Sequence, residues 1–172
     1  DTAGRAGRLS DGLTSRLGAS KVFQDVGSIA PGVDFERAVL DALAETDATI
    51  VVIGPDWATL RGPDGRRLDQ PGDYVRQEVA AALTSERPVV PVLVGGAQMP
   101  EPDELPEDLR PLAKRQAIEV RDVTWQGDVD GLLRRVSGLH DCDRIKEVGI
   151  LDDVPSTERG QRQLLLVDEL AL

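Results

Sequence analysis

Glu78 is the side chain whose type and setting most clearly suggest chemistry. The apolar residues of segment 74–83 recur at the spacing of one buried helix face: Val75, Val79, Ala82 and Leu83. Asp73 can cap this helix, which would place Glu78 near the positive end of the helix dipole and favour the ionised carboxylate. Because Glu78 lies beside the apolar stripe, we expect its carboxylate at the boundary between core and solvent. A fixed carboxylate beside the Tyr74 ring suits stabilisation of a cationic sugar transition state, and a plain surface glutamate fits the same pattern.

Three further side chains invite a functional interpretation. Trp57 follows an apolar run and could stack on a flat ligand, anchor a partner, or plug the end of its own sheet. His140 and Cys142 have the spacing of two metal ligands, but zinc sites need a second pair, and the chain has one histidine and one cysteine. The single histidine also leaves a Ser–His hydrolase without a credible base elsewhere. We therefore predict no metal site.

Composition excludes several classes of protein. The chain has 172 residues and a net charge of −11, which disfavours surfaces for nucleic acids or anionic membranes. One cysteine rules out an internal disulfide and fits a reducing compartment. No apolar run reaches the roughly 20 residues that span a bilayer, and no signal segment is recognisable. We expect a cytoplasmic protein.

The order of predicted elements indicates an α/β domain. Strands are predicted at 21–25, 49–54, 89–94 and 117–120, and helices at 3–17, 34–45, 74–83, 105–113 and 129–136. Strands that alternate with helices and carry continuous apolar runs are typical of a parallel sheet covered on both faces. Pro91 argues against a fully central place for its strand. We expect this three-layer domain to span residues 1–136, and residues 137–172 to be a linker or the start of another region.

The loop 25–32 follows a predicted strand end, where ligands bind in open α/β sheets. It contains glycines but neither the dinucleotide-binding glycine pattern nor a P-loop, so both of those sites are disfavoured. A plain turn remains an alternative interpretation.

Taken together, the segments resemble a Toll/interleukin-1 receptor (TIR) domain of the bacterial type, over residues 1–136. The matching segments occur in the family's order: 22–26 leading to 28–32 (similar to its BB loop), 50–57, 73–79 (the start of its αC helix), 89–94 and 105–109. The resemblance implies a flavodoxin-like fold with five parallel strands in the order 2-1-3-4-5.

The resemblance also implies a function. Many members cleave NAD+ at the nicotinamide–ribose bond with the glutamate of the αC helix, which corresponds here to Glu78; Tyr74 stands where related enzymes often carry tryptophan. An NAD+ substrate pocket would then be formed by the following residues: Tyr74, Trp57, Phe23, Asp25, Ser28 and Gly32. NAD+ would be the substrate, with no cofactor, and self-association with other TIR domains is implied. The alternatives are a non-catalytic TIR interaction module and, less favoured, a generic receiver domain.

One strand of the family is missing from the expected order. The family's first strand would precede Asp1, so we expect an N-terminally truncated domain with a gap between the strands at 21–25 and 49–54. Such a gap would leave neighbouring backbone groups unpaired. The apolar run 163–168 is a candidate to fill it.

Overall fold

The computed structural model describes residues 2–24, 37, 41, 43, 46–138 and 163–167, with the backbone alone at 20, 23, 24 and 163–167. Within these residues five strands form one sheet: β1 (Val22–Gln24), β2 (Thr46–Ile53), β5 (Val89–Val94), β6 (Ile118–Val120) and β7 (Gln163–Val167). All neighbouring pairs are parallel, and the order is β1-β7-β2-β5-β6. A separate antiparallel ribbon joins β3 (Arg61–Gly62) to β4 (Gly65–Arg66).

Successive residues of β2 point to opposite faces of the sheet, and each face has its own core. Ile50 and Val52 pack with the helices α1 (Thr2–Leu17) and α3 (Trp125–Ser137). Val51 and Ile53 pack with α2 (Tyr74–Thr84) and with a 3₁₀ helix, Glu107–Lys114. The predicted three-layer, flavodoxin-like α/β fold is therefore confirmed, and the continuous apolar run of β2 is explained by burial on both sides.

The central position of the sheet is occupied by β7. Its Leu165 pairs with Phe23 of β1 on one side and with Thr49 of β2 on the other, and Val167 pairs with Val51. The expected gap is therefore absent: residues 163–167 lie in the sheet and not outside it as part of a linker. The backbone of β7 supplies hydrogen-bonding partners for β1 and β2, whose facing edges would otherwise be unpaired.

Pro91 lies inside an internal strand, contrary to the expectation. It pairs with Val51 of β2, whereas the pairing between β5 and β6 begins only at Val92, opposite Ile118. A missing backbone N–H is tolerated at this position because β6 has not yet started on that side.

Local geometry explains the remaining element boundaries. The first helix ends at Leu17, where Gly18 has a φ of +93° and its N–H donates to the carbonyl of Thr14 at 2.8 Å. The segment predicted as a short helix near 105–113 is a 3₁₀ helix that contains Pro111, which removes one of its backbone donors. Of the predicted helix 34–45, the described residues Arg37, Asp41 and Leu43 are helical. None of the helices described here is long and apolar enough to cross a membrane.

Candidate functional site

The helix α2 begins at the carboxyl edge of the sheet. It connects β2 to β5, which are parallel neighbours, so it must run antiparallel to both strands and start near their carboxyl ends. It also contacts the central strand β7. In open α/β sheets this edge is where ligands bind, which makes the first turns of α2 the natural place to look for a site.

Asp73 caps α2, as predicted. Its side chain accepts a hydrogen bond from the backbone N–H of Arg76 at 3.1 Å, through Oδ1. The other carboxylate oxygen, Oδ2, accepts from Nε of Arg67 at 2.9 Å. One nearly buried carboxylate thus satisfies a free backbone donor of the helix and pairs with a guanidinium that reaches it from the preceding loop.

Glu78 is buried, with 4% of its surface exposed, and not at the boundary with solvent as expected. The reason is its place on the helix: Val75 three residues before it, Val79 next to it and Ala82 four residues after it are all buried. Residues three or four positions apart lie on the same face of a helix, so Glu78 belongs to the apolar stripe and does not lie beside it. Among the described residues, Glu78 is the only charged residue that is buried as a whole.

Tyr74 and Trp57 have opposite environments. Tyr74, one helical turn before Glu78, keeps 48% of its surface exposed at the carboxyl edge. Trp57 is 2% exposed and packs in the core beside Leu68 and Val75, the arrangement of a ring that plugs the end of its sheet. Within the described part of the chain its indole N–H has no hydrogen-bond acceptor. Tyr74 can therefore contact a ligand directly. Trp57, in contrast, is a core residue that packs against the start of α2.

The remaining predicted pocket residues are only partly described. Phe23 lies in β1, next to the central strand, which brings the end of β1 to the same edge as α2. Asp25, Ser28 and Gly32 lie outside the described residues, as do His140 and Cys142. In the part of the chain that is described, no three metal-ligating side chains cluster.

The contacts of the arginines around the loop before α2 were not predicted from the sequence. Arg66 forms an ion pair with Asp69 at 2.5 Å, and this lowers the pKa of the Asp69 carboxyl through hydrogen bonding and charge. The guanidinium of Arg76 donates to the carbonyls of Leu68 and Asp69 and to Asp108. The Arg66–Asp69 pair could have been predicted, because the two opposite charges are only three residues apart in the sequence. The other contacts depend on the tertiary fold.

The decisive comparison is with protein families. The model of the family described as TIR domain matches residues 3–134 of this chain. The chain belongs to the TIR domain family. This TIR domain is also similar to the NAD(+) hydrolase sarm1 of Drosophila melanogaster, with 28% identity over 132 residues. The aligned part covers 76% of this chain and 9% of that relative, so the chain spans about a tenth of the relative's length.

Proposed function

We propose that this TIR domain cleaves NAD+ at the bond between nicotinamide and ribose, with Glu78 as the catalytic carboxylate. The observation that carries the proposal is the burial of Glu78 in the second turn of α2, at the carboxyl edge of the sheet and one turn from the exposed Tyr74. Glutamate is rarely buried in proteins without a specific reason. A buried acid at a ligand-binding edge is therefore a candidate for function. The NAD+ hydrolase named above supports this choice of substrate.

The chemistry needs one fixed negative charge. In NAD+ the nicotinamide ring is cationic, and it leaves as a neutral base that takes the electron pair of the broken C–N bond. The positive charge then moves to the ribose, which becomes oxocarbenium-like, and a carboxylate below it stabilises that charge. Water forms the new C–O bond at the same carbon and releases a proton. Burial strengthens the electrostatic effect of Glu78 because little solvent screens it.

The substrate would lie between α2 and the end of β1. Tyr74 would stack against the nicotinamide or the ribose, and Phe23, with Asp25, Ser28 and Gly32 in the following loop, would form the opposite wall. NAD+ enters as the substrate. We further propose that the domain acts in cytoplasmic defence or signalling and that self-association with other TIR domains promotes activity.

The test is the release of nicotinamide from NAD+, followed by HPLC, with the whole chain and with Glu78→Gln. Glutamine keeps the size of the side chain and removes the charge, so we expect a fall in kcat of about 100-fold or more. Glu86→Gln is the matched control, because Glu86 is an exposed glutamate just beyond the same helix. Equal release by the wild type and by Glu78→Gln would refute the assignment. No release by either, under conditions that promote oligomers, would favour the non-catalytic interaction module.

A further inference from the structure

The loop that leads into α2 is attached to the first turn of that helix at two points. Arg67, in the 3₁₀ helix Arg67–Asp69, reaches forward to the cap residue Asp73. Arg76, in the first turn of α2, reaches back to the carbonyls of Leu68 and Asp69. The segment 67–73 is thus held to the helix from both directions, immediately before Tyr74.

The pair of Arg67 and Asp73 is the more buried of these connections. Its Nε–Oδ2 distance is 2.9 Å, and the two side chains are 19% and 6% exposed. Removing one partner of such a pair leaves a poorly solvated charge, so the remaining group must move or take up water. Because the same Asp73 carboxylate caps the helix through its other oxygen, any movement of Asp73 also loosens the first turn.

We propose that Arg67 is a positioning residue for the proposed reaction: by its ion pair with Asp73 it fixes the first turn of α2 and thereby the places of Tyr74 and Glu78. This inference rests on the proposed function for its effect on catalysis. The Arg67 side chain is largely buried, and with Trp57, Asp73 and Val75 it lines a small hollow beside the core. Its action on the reaction is therefore indirect, through the helix.

Substitutions can separate the ion pair from the helix cap. Asp73→Ser keeps a good N-cap and removes the carboxylate that pairs with Arg67. Arg67→Gln removes the cation and leaves the cap, and Arg67→Lys keeps the charge without the planar guanidinium. Arg16→Gln is the matched control: it breaks the ion pair of Arg16 in α1 with Asp130 in α3, on the other face of the sheet and away from α2.

We expect Arg67→Gln and Asp73→Ser each to lower kcat by about 10-fold to 100-fold, because small displacements of a catalytic group have effects of this size. KM for NAD+ should change less, and Arg67→Lys should recover part of the loss. In a Glu78→Gln background, Arg67→Gln should add almost nothing, since both changes remove the same contribution. All rates are to be measured well below the unfolding temperature of each variant, and Arg16→Gln should stay within about 3-fold of wild type.

Hydrogen exchange gives a readout that does not depend on activity. In Arg67→Gln the amides of Arg76 and Gln77, which donate to the side chain and to the carbonyl of Asp73, should exchange at least about 10-fold faster than in wild type, whereas those of residues 81–84 should be unchanged. If the wild type releases no nicotinamide, the proposed function fails, and the exchange data still decide whether Arg67 fixes the first turn. If Arg76 and Gln77 exchange in Arg67→Gln at the rates of the wild type, or if Arg67→Gln lowers kcat no more than Arg16→Gln does, the proposal is overturned.

Discussion

Tyr74 and Glu78 lie one helical turn apart on the same side of α2, yet 48% of Tyr74 is exposed and only 4% of Glu78. The helix therefore descends from solvent into the core within a single turn. A ligand that stacks on the tyrosine ring would therefore lie about one helical turn from the carboxylate. This change from an exposed to a buried side chain suits the proposed reaction. The substrate can enter from solvent at Tyr74, and the cationic centre can be shielded from water near Glu78.

Replacing Tyr74 should weaken substrate binding. Its exposed ring can stack on NAD+, so we expect Tyr74→Ala to raise KM by about 5-fold to 30-fold, which corresponds to about 1–2 kcal/mol of stacking. Tyr74→Trp should preserve or improve KM because it keeps the flat ring. Steady-state kinetics of nicotinamide release measure both variants. If Tyr74→Ala binds NAD+ as well as wild type does, the ring has no part in the pocket.

Replacing Trp57 should affect stability more than activity, because the ring is buried in the core beside Leu68 and Val75. We expect Trp57→Ala to lower the free energy of unfolding by about 3–5 kcal/mol. Trp57→Phe should cost less, since it also removes an indole N–H without an acceptor in the described part of the chain. Urea denaturation gives the energies. A large rise in KM for Trp57→Phe, at unchanged stability, would instead mean that the indole contacts the ligand.

The central strand β7 can be tested by two matched truncations. Removal of residues 160–172 deletes the strand, whereas removal of residues 169–172 leaves it intact. Because β7 pairs with both β1 and β2, we expect the longer truncation to lower the unfolding midpoint by about 10 °C or more, or to abolish cooperative unfolding. The shorter truncation should change it by less than about 3 °C. Equal midpoints and equal circular dichroism spectra for the two chains would show that the sheet does not need β7.

Asp128 should make the stability depend on pH in acid. Hydrogen bonds from the Arg121 guanidinium, from Thr124 and from the Arg121 backbone N–H lower the pKa of the Asp128 carboxyl. A lowered folded-state pKa stabilises the fold above the unfolded value of about 3.9, and this contribution disappears as the pH falls through the folded value.

Asp128→Asn should therefore be less stable than wild type at pH 7, and the difference should shrink steadily below about pH 4. Denaturation curves at pH 7, 4 and 2.5 measure the difference. Asp64→Asn, at an exposed carboxylate in the turn of the β-ribbon, is the control and should show little change at any of these pH values. A difference that stays constant down to pH 2.5 would mean that the ionised carboxylate of Asp128 is not what stabilises the fold.

The parts of the fold that rest on local patterns were predictable. The continuous apolar run of β5 and the Asp73 cap of α2 are both found where they were predicted, because each depends on residues close together in the chain. The burial of Glu78 was not predicted, although its buried neighbours three and four residues away contained the signal. The Arg67–Asp73 pair could not be deduced, because the pairing of charges across a loop depends on the path that the loop takes.

The place of β7 shows a different limit. An apolar run such as Gln163–Val167 indicates a strand, but nothing in its composition says which strands it will join. Its partners β1 and β2 lie far away in the sequence, and only the expected gap between them pointed to it. The place of residues 163–167 in the sheet could therefore be predicted only from the arrangement of the other strands, not from the segment itself.

The order in which the chain is synthesised differs from the order of its sheet. Among the strands of the described residues β7 is the last to leave the ribosome, yet it is the strand that joins β1 to β2. Until residues 163–167 have emerged, β1 lacks the strand with which it pairs in the described sheet, and the proposed pocket between α2 and the end of β1 is not yet assembled. Closing a contact of such high sequence separation is slow. A nascent chain should therefore carry a capped α2 and a partial sheet well before it can bind NAD+, and the proposed activity would begin only after β7 has inserted.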